Sequence, residues 1–128
     1  DAHLGNVLLP ADAGTAGPAL LIDWQMWGVS FAAEDLANLM AYGWGAERRQ
    51  ALEADLLRRY HAGLSRHGVR GYTLADCRRD YRLAVIVRVL FMPMWQWSLG
   101  APGDWWQGGL ERALQAFRDL DCADLLEG

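Results

Sequence analysis

The sequence contains no lysine: all twelve basic residues among its 128 are arginines. These arginines are scattered along the chain, and the formal net charge is −4. A protein that binds nucleic acid needs a clustered positive face against the phosphate backbone. The composition therefore argues against a nucleic-acid partner.

The chain also lacks any apolar run close to the roughly 20 residues that cross a bilayer. Its start has no basic stretch before an apolar one, as a signal peptide would. Its two cysteines, Cys77 and Cys122, fit neither a C-x-x-C motif nor a Cys/His metal spacing. We therefore expect no membrane span, two buried reduced thiols and a cytoplasmic location, although the spacing leaves a disulfide open.

The residues that are present suffice for one hydrophobic core, since 52% are apolar and 22% are charged. No internal repeat, low-complexity tract or second domain is visible, so residues 1–128 are expected to form a single domain. The first residue is Asp and not Met. We expect the domain to be a piece of a longer protein.

Two short apolar runs, residues 7–9 and 19–22, flank a connection rich in Pro, Gly and Asp. This pattern predicts a β-hairpin with a loose connection. Asp23 ends the second strand, and an irregular loop containing Trp24, Trp27 and Gly28 continues to Glu34.

A helical period begins at Glu34 and predicts four helices. The first runs to about residue 42 and the second from 46 to about 67, where Gly68 stops it. Thr73 and Asp76 resemble an acidic capping box that opens the third helix, and Pro93 ends or kinks that helix. Asp104 caps the fourth helix, and residues 122–126 add a short turn. The predicted fold is mainly α, a short hairpin followed by about four helices.

Within the second helix, apolar side chains recur every four residues and predict its inner face. These residues are Leu52, Leu56, Tyr60 and Leu64.

Three polar residues lie at the ends of the predicted hairpin. Asp1 and Asn6 precede its first strand, and Asp23 ends the second. Because a hairpin brings its outer ends together, Asn6 and Asp23 should be neighbours, with Asp1 nearby. Magnesium binds through one or two carboxylates plus phosphates and waters, and phosphoryl transfer also needs a carboxylate that accepts a proton. Singly, each of these residues could equally serve a turn.

The segment Asp1-Ala-His-Leu-Gly-Asn6 resembles the catalytic loop of the aminoglycoside phosphotransferase and choline kinase superfamily. Leu21-Ile-Asp-Trp-Gln25 resembles the metal-binding segment of that superfamily, the counterpart of Asp-Phe-Gly in protein kinases. Glu34-Asp-Leu-Ala37 resembles the Asp-Leu-Ala element that follows. The Gln after Asp-Trp is similar to the ecdysteroid-kinase-like branch.

The resemblance implies a fragment of a protein-kinase-like C-terminal lobe that begins at the catalytic Asp. It implies that Asp1 is the catalytic base and that Asn6 and Asp23 bind Mg²⁺ with ATP. Asp35 would support the catalytic loop or carry only a helix-terminus charge. His3 would shape the loop or contact the nucleotide.

The reaction implied is transfer of the γ-phosphoryl group of ATP to a hydroxyl of a small molecule. A kinase site needs a lysine on the α/β-phosphates, which this lysine-free chain does not contain. We therefore expect an N-terminal lobe in the same protein, and an inactive fragment without it. The chain departs from the family pattern in two places: His-Gly does not precede Asp1, and Gly-Asp-Pro is replaced around Val29 and Ser30.

Seven tryptophans are conspicuous, and four of them flank the break between the third and fourth helices. They could pack the core, or they could line an acceptor pocket that suits an apolar alcohol or an amine held by cation–π contact. The four candidates are Trp95, Trp97, Trp105 and Trp106.

Two other functions remain open from the residues. A protein kinase is disfavoured because no Ala-Pro-Glu element follows Asp23. A pseudokinase-like helical interaction module is disfavoured because it would have no reason to keep the Asp/Asn/Asp set.

Overall fold

The computed structural model describes residues 4–11, 17–30 and 33–127. A 3₁₀ turn, Leu4–Asn6, leads into strand β1, Val7–Leu8, which pairs with β2, Leu20–Leu21. The strands are antiparallel, with Val7 opposite Leu21 and Leu8 opposite Leu20. The predicted hairpin is confirmed, with shorter strands than expected. Pro10 and Pro18 lie just beyond the paired residues and lack the N–H that a longer ladder would need.

The first predicted helix is also present, but it changes its winding. Helix α1, Glu34–Ala37, continues directly into a π-helical segment, Asn38–Tyr42. The acidic first turn, with Glu34 and Asp35, lies where the helix dipole favours negative charge. Both α1 and the π-helical segment pack on the third helix. They therefore connect the loop after Asp23 to the core.

Helix α2, Ala46–Arg66, ends as predicted just before Gly68, which adopts φ 94°. Helix α3, Leu74–Ser98, begins with the predicted capping box: the Asp76 amide donates to Thr73 Oγ1 over 3.1 Å, and the Thr73 amide donates to Asp76 Oδ2 over 2.8 Å. Pro93 does not end α3, which continues to Ser98. The prolyl ring removes one helical hydrogen bond, and the rest of the turn holds the helix together.

Helix α4, Gly103–Asp119, has its N-cap two residues earlier than predicted. The N-cap residue is Pro102, and Asp104 lies in the first helical turn and does not cap it. Its carboxylate still faces a favourable dipole there. A final 3₁₀ turn, Cys122–Leu125, follows, as the sequence indicated.

The core lies where α3 packs against α1, the π segment and α4. Cys77 and Cys122 are both buried free thiols, which confirms that expectation. Among the described residues, no helix has the length and apolar character to span a bilayer. Besides the two cysteines, the fully buried residues of the core include Ala37, Met40, Tyr81, Ala84, Val85 and Ala116.

The predicted inner face of α2 is confirmed in part, since Leu56 and Tyr60 pack against the core, but its buried positions differ from the predicted ones. Leu52 is 42% exposed, whereas Arg49, Glu53 and Leu57 are buried. Arg49 Nη1 donates to Glu53 Oε2 over 2.8 Å, and the Tyr81 hydroxyl donates to the same oxygen over 2.9 Å. A charged pair takes the inner positions because partners on the neighbouring helices satisfy it, which apolar periodicity cannot reveal.

Candidate functional site

The open end of the hairpin brings the predicted metal ligands close together. The Ile22 amide donates to the Asn6 carbonyl oxygen over 2.9 Å. This bond extends the ladder by one pair beyond Val7 and Leu21. Asn6 therefore lies across from Ile22, one residue from Asp23. Asn6 is only 6% exposed, whereas Asp23 is exposed.

Asp23 has an unusual backbone conformation. Its φ of 63° and ψ of 58° place it in the left-handed region. That region costs most non-glycine residues roughly 1–2 kcal/mol, although Asp tolerates it better than most. Such strain persists only where the surroundings enforce it, and it is concentrated at functional sites.

The chain after Asp23 forms a 3₁₀ turn, Trp24–Met26, which the Asp23 side chain does not cap. The Trp24 indole Nε1–H donates to the Leu21 carbonyl oxygen over 2.9 Å, and the Trp27 amide donates to the Trp24 carbonyl over 3.0 Å. The turn is therefore closed by other groups. The simple explanation that Asp23 is present only to cap a turn is not supported.

The far end of this loop is attached to the core through Glu34. The Ser30 hydroxyl donates to one oxygen of the Glu34 carboxylate, and Arg88 Nη2 donates to the other over 3.3 Å. The Arg88 side chain is only 9% exposed. Burial lowers the pKa of Arg88, and the nearby charges of Glu34 and Asp35 oppose that shift. A buried cation thus holds the loop's last turn against α3.

Asp1, His3 and Asp35 are further predicted residues of the site. Asp1 and His3 lie outside the described residues. Asp35 is exposed in the first turn of α1, five residues after Ser30. Its support of the catalytic loop stays a prediction.

The tryptophan candidates are not simply core residues. Trp95 is exposed and Trp97 is 77% exposed at the end of α3. Trp106, in α4, is half-buried, and its indole N–H is buried with no hydrogen-bond partner within the described part of the chain. The side chain of Trp105 lies outside that part. Core packing therefore does not explain Trp95 and Trp97.

Two contacts at the site were not anticipated from the sequence, namely the Trp24–Leu21 bond and the Arg88–Glu34 pair. The signal for the first was a Trp directly after a strand-ending Asp, but the bond depends on the path of the turn. The second joins residues 54 positions apart. No local pattern predicts such a pair.

The residues present fit a magnesium ion. Asp23 carries an exposed carboxylate, and the buried Asn6, opposite Ile22 in the hairpin, carries an amide oxygen. The described ranges contain no group of three or more His, Cys, Asp or Glu side chains that could hold a metal. Magnesium does not need one, because it takes one or two carboxylates and completes its shell with phosphates and waters.

Comparison with known proteins identifies the family. The sequence model of the phosphotransferase enzyme family matches residues 1–72, which span the hairpin, α1 and α2. No curated protein and no solved structure matches the chain. The matched segment is more than half of the chain and contains Asp1, Asn6 and Asp23. The chain therefore belongs to the phosphotransferase enzyme family, within the aminoglycoside phosphotransferase superfamily that its motifs resemble.

Proposed function

We propose that the chain carries the catalytic half of an ATP-dependent small-molecule kinase. The observation that supports this most is the Asn6–Ile22 hydrogen bond, which brings Asn6 to within one residue of Asp23 inside the segment that matches the family. This pairing supports the proposal that oxygen ligands from two stretches of sequence meet at one end of the hairpin.

Each residue has a distinct role in the proposed reaction. The Asp1 carboxylate accepts the proton of the acceptor hydroxyl as its oxygen attacks the γ-phosphorus. The bond between the γ-phosphorus and the bridging oxygen breaks, and ADP leaves with the electron pair. The Asn6 amide oxygen and the Asp23 carboxylate would hold Mg²⁺. When bound, Mg²⁺ neutralises charge on the phosphates.

The nucleotide needs groups that this chain does not supply. Without a lysine, the α/β-phosphates must be held by a residue outside these 128 positions. We propose that residues 1–128 form one domain, the C-terminal-lobe portion, that it is inactive alone, and that it works with an N-terminal lobe of the same protein. Gln25 favours the ecdysteroid-kinase-like branch, and the two free thiols suit a cytoplasmic enzyme.

We propose that the acceptor is an apolar or amine-containing alcohol. The exposed ring of Trp97 offers a flat apolar surface that can stack on such a molecule, and a quaternary amine would gain cation–π attraction there. The indole N–H of Trp106 has no partner among the described residues and could donate to an acceptor oxygen that reaches it. Turnover of a hydrophobic alcohol by a Trp97→Ala, Trp106→Ala double variant at the wild-type rate would refute the pocket.

A panel of hydroxyl acceptors, incubated with ATP, Mg²⁺ and the protein as its gene encodes it, tests the proposal. We expect stoichiometric ADP and a phosphorylated product with at least one apolar or amine-bearing alcohol. If no member of a broad panel is phosphorylated and ATP does not bind, the kinase assignment is wrong.

The alternative is a non-catalytic, pseudokinase-like interaction module. The exposed apolar side chains near the end of α3, Leu90, Phe91 and Met94, favour it. This alternative predicts no ATP turnover under any acceptor. A single productive acceptor therefore excludes it.

A further inference from the structure

The residue directly after Asp23, which has the left-handed backbone conformation, makes a side-chain hydrogen bond that spans it. The Trp24 indole donates to the Leu21 carbonyl over 2.9 Å, so a closed ring of atoms spans Asp23. On the other side, the Ile22 amide is bonded to Asn6. The backbone of Asp23 is therefore fixed from both directions.

Burial does not explain why Trp24 takes this position. Its side chain is 61% exposed, so little apolar area is removed from water. Trp27, three residues later, is 75% exposed, and its indole has no hydrogen-bond partner among the residues that the structure describes. The contrast indicates that the Trp24 indole N–H, and not its apolar ring, accounts for its placement.

The direction of the Asp23 carboxylate depends on its backbone angles. If the bond between Trp24 and Leu21 is lost, Asp23 can return to the more favourable β or right-handed α regions. The carboxylate then leaves the direction that the left-handed backbone gives it. A site whose competent conformation is only partly populated binds its ligand more weakly by that fraction.

We propose that Trp24 is a positioning residue for the Asp23 carboxylate and that its indole N–H sets the metal affinity of the site. The inference rests on the proposed function, since it takes Asp23 as a ligand of Mg²⁺. Phenylalanine cannot replace Trp24 here, because it has no N–H to donate.

The test compares Trp24→Phe with Trp27→Phe in the protein as its gene encodes it. Mn²⁺, a paramagnetic substitute for Mg²⁺, is titrated with a non-hydrolysable ATP analogue present, and free Mn²⁺ is measured by electron paramagnetic resonance. We expect Trp24→Phe to weaken Mn²⁺ binding about fivefold, because the strained conformer loses its support. Trp27→Phe should bind Mn²⁺ as the wild type does.

A second measurement separates positioning from a general loss of structure. Both variants should have the wild-type thermal midpoint, because both rings are exposed. At saturating metal, kcat of Trp24→Phe should return to the wild-type value, since no reacting group is removed. A kcat that stays low at saturating metal, together with a lowered thermal midpoint, would mean that Trp24 is only structural.

The Mn²⁺ titration distinguishes a failure of this inference from a failure of the proposed function. Equal Mn²⁺ affinity in wild type, Trp24→Phe and Trp27→Phe overturns the inference alone. If the wild-type protein binds no Mn²⁺ with the nucleotide analogue, the proposed function fails, and this inference fails with it.

Discussion

The carbonyl oxygen of Asn6 accepts a hydrogen bond from the amide of Ile22, 2.9 Å away. This bond lies one pair beyond a ladder of only two residue pairs. An isolated two-stranded hairpin is marginally stable in water. The hydrogen bond between Ile22 and Asn6 therefore helps to fix the position of Asp23, which follows Ile22.

Replacing Asp23 with Gly should separate the fold from metal binding. Glycine adopts φ 63° without strain, so the free energy of unfolding should stay within about 1 kcal/mol of wild type. Metal binding should nevertheless be lost, because the carboxylate is gone. Denaturant unfolding and Mn²⁺ titration measure the two effects.

Asp121 provides the matched control for that substitution. It is the other described non-glycine residue with positive φ, at 50°, and it lies after α4, away from the hairpin. Asp121→Gly should leave metal binding at the wild-type level. Equal loss of metal binding in both glycine variants would contradict the assignment of Asp23.

Gly109 should not tolerate a side chain. A Cβ at this position would lie 2.2 Å from Cζ of the Tyr42 ring. Tyr42 cannot easily move, because its hydroxyl donates to Gln96 Oε1 over 3.0 Å and its carbonyl accepts from Arg112 Nε over 2.8 Å. Gly109→Ala should therefore destabilise the protein by about 1–3 kcal/mol.

The neighbouring Gly108 is the control for the same helix. A Cβ there would meet only Arg112 Nη1, at 3.3 Å, the far end of a flexible side chain. Gly108→Ala should raise stability by up to about 1 kcal/mol, through helix propensity. Chemical denaturation of the two variants measures both effects, and a shift of the same sign in both would refute the close packing of Tyr42 on Gly109.

Removing only one partner of the buried Arg49–Glu53 pair should lower the free energy of unfolding strongly. Arg49→Met leaves the Glu53 carboxylate buried without its cation, so a loss of about 3–5 kcal/mol is expected. Tyr81→Phe removes one neutral donor to the same carboxylate and should cost about 1–2 kcal/mol.

The exposed pair of Arg59 and Asp55 gives the comparison. Its atoms are 2.6 Å apart, but the two side chains are 76% and 47% exposed. Arg59→Met should change the unfolding free energy by less than about 1 kcal/mol. Urea titrations in which Arg49→Met and Arg59→Met lowered the free energy of unfolding equally would contradict the burial of the Arg49–Glu53 pair on the inner face of α2.

Acid should weaken the start of α3. The hydroxyl of Thr73 donates to the Asp76 carboxylate, and the Thr73 backbone N–H does so as well, which lowers the pKa of Asp76. A depressed pKa in the folded state stabilises the protein above the ordinary Asp pKa of roughly 4, and this contribution is lost as the pH falls through the lowered pKa.

The capping residues can be removed one at a time to check the sign. Asp76→Asn should flatten the fall in unfolding free energy between neutral pH and strong acid. Thr73→Val should flatten it partly, since the hydroxyl donor is lost but the amide remains. Unchanged acid dependence in Asp76→Asn would contradict the lowered pKa.

The sequence predicts those parts of the fold that depend on interactions between residues close together in the chain. The hairpin, the stop at Gly68 and the capping box of Thr73 and Asp76 were predicted because neighbouring residues determine them. Hairpin geometry also predicted the antiparallel pairing that places Asn6 opposite Ile22, the residue before Asp23.

Contacts between distant segments could not be predicted in this way. The apolar period of α2 favoured Leu52 as an inner residue, but Glu53 lies inside because Tyr81, 28 positions later, donates to it. Likewise α3 continues through Pro93, although local rules favour an end or a kink there.

The proposal that Asp1 is the catalytic base of a kinase is most directly tested with Asp1→Asn in the protein as its gene encodes it. Rates of phosphoryl transfer from ATP to a productive acceptor are compared with direct ATP and Mn²⁺ binding. The account predicts that transfer is abolished while nucleotide and metal still bind, because only the proton acceptor is removed. Transfer by Asp1→Asn at close to the wild-type rate would contradict it.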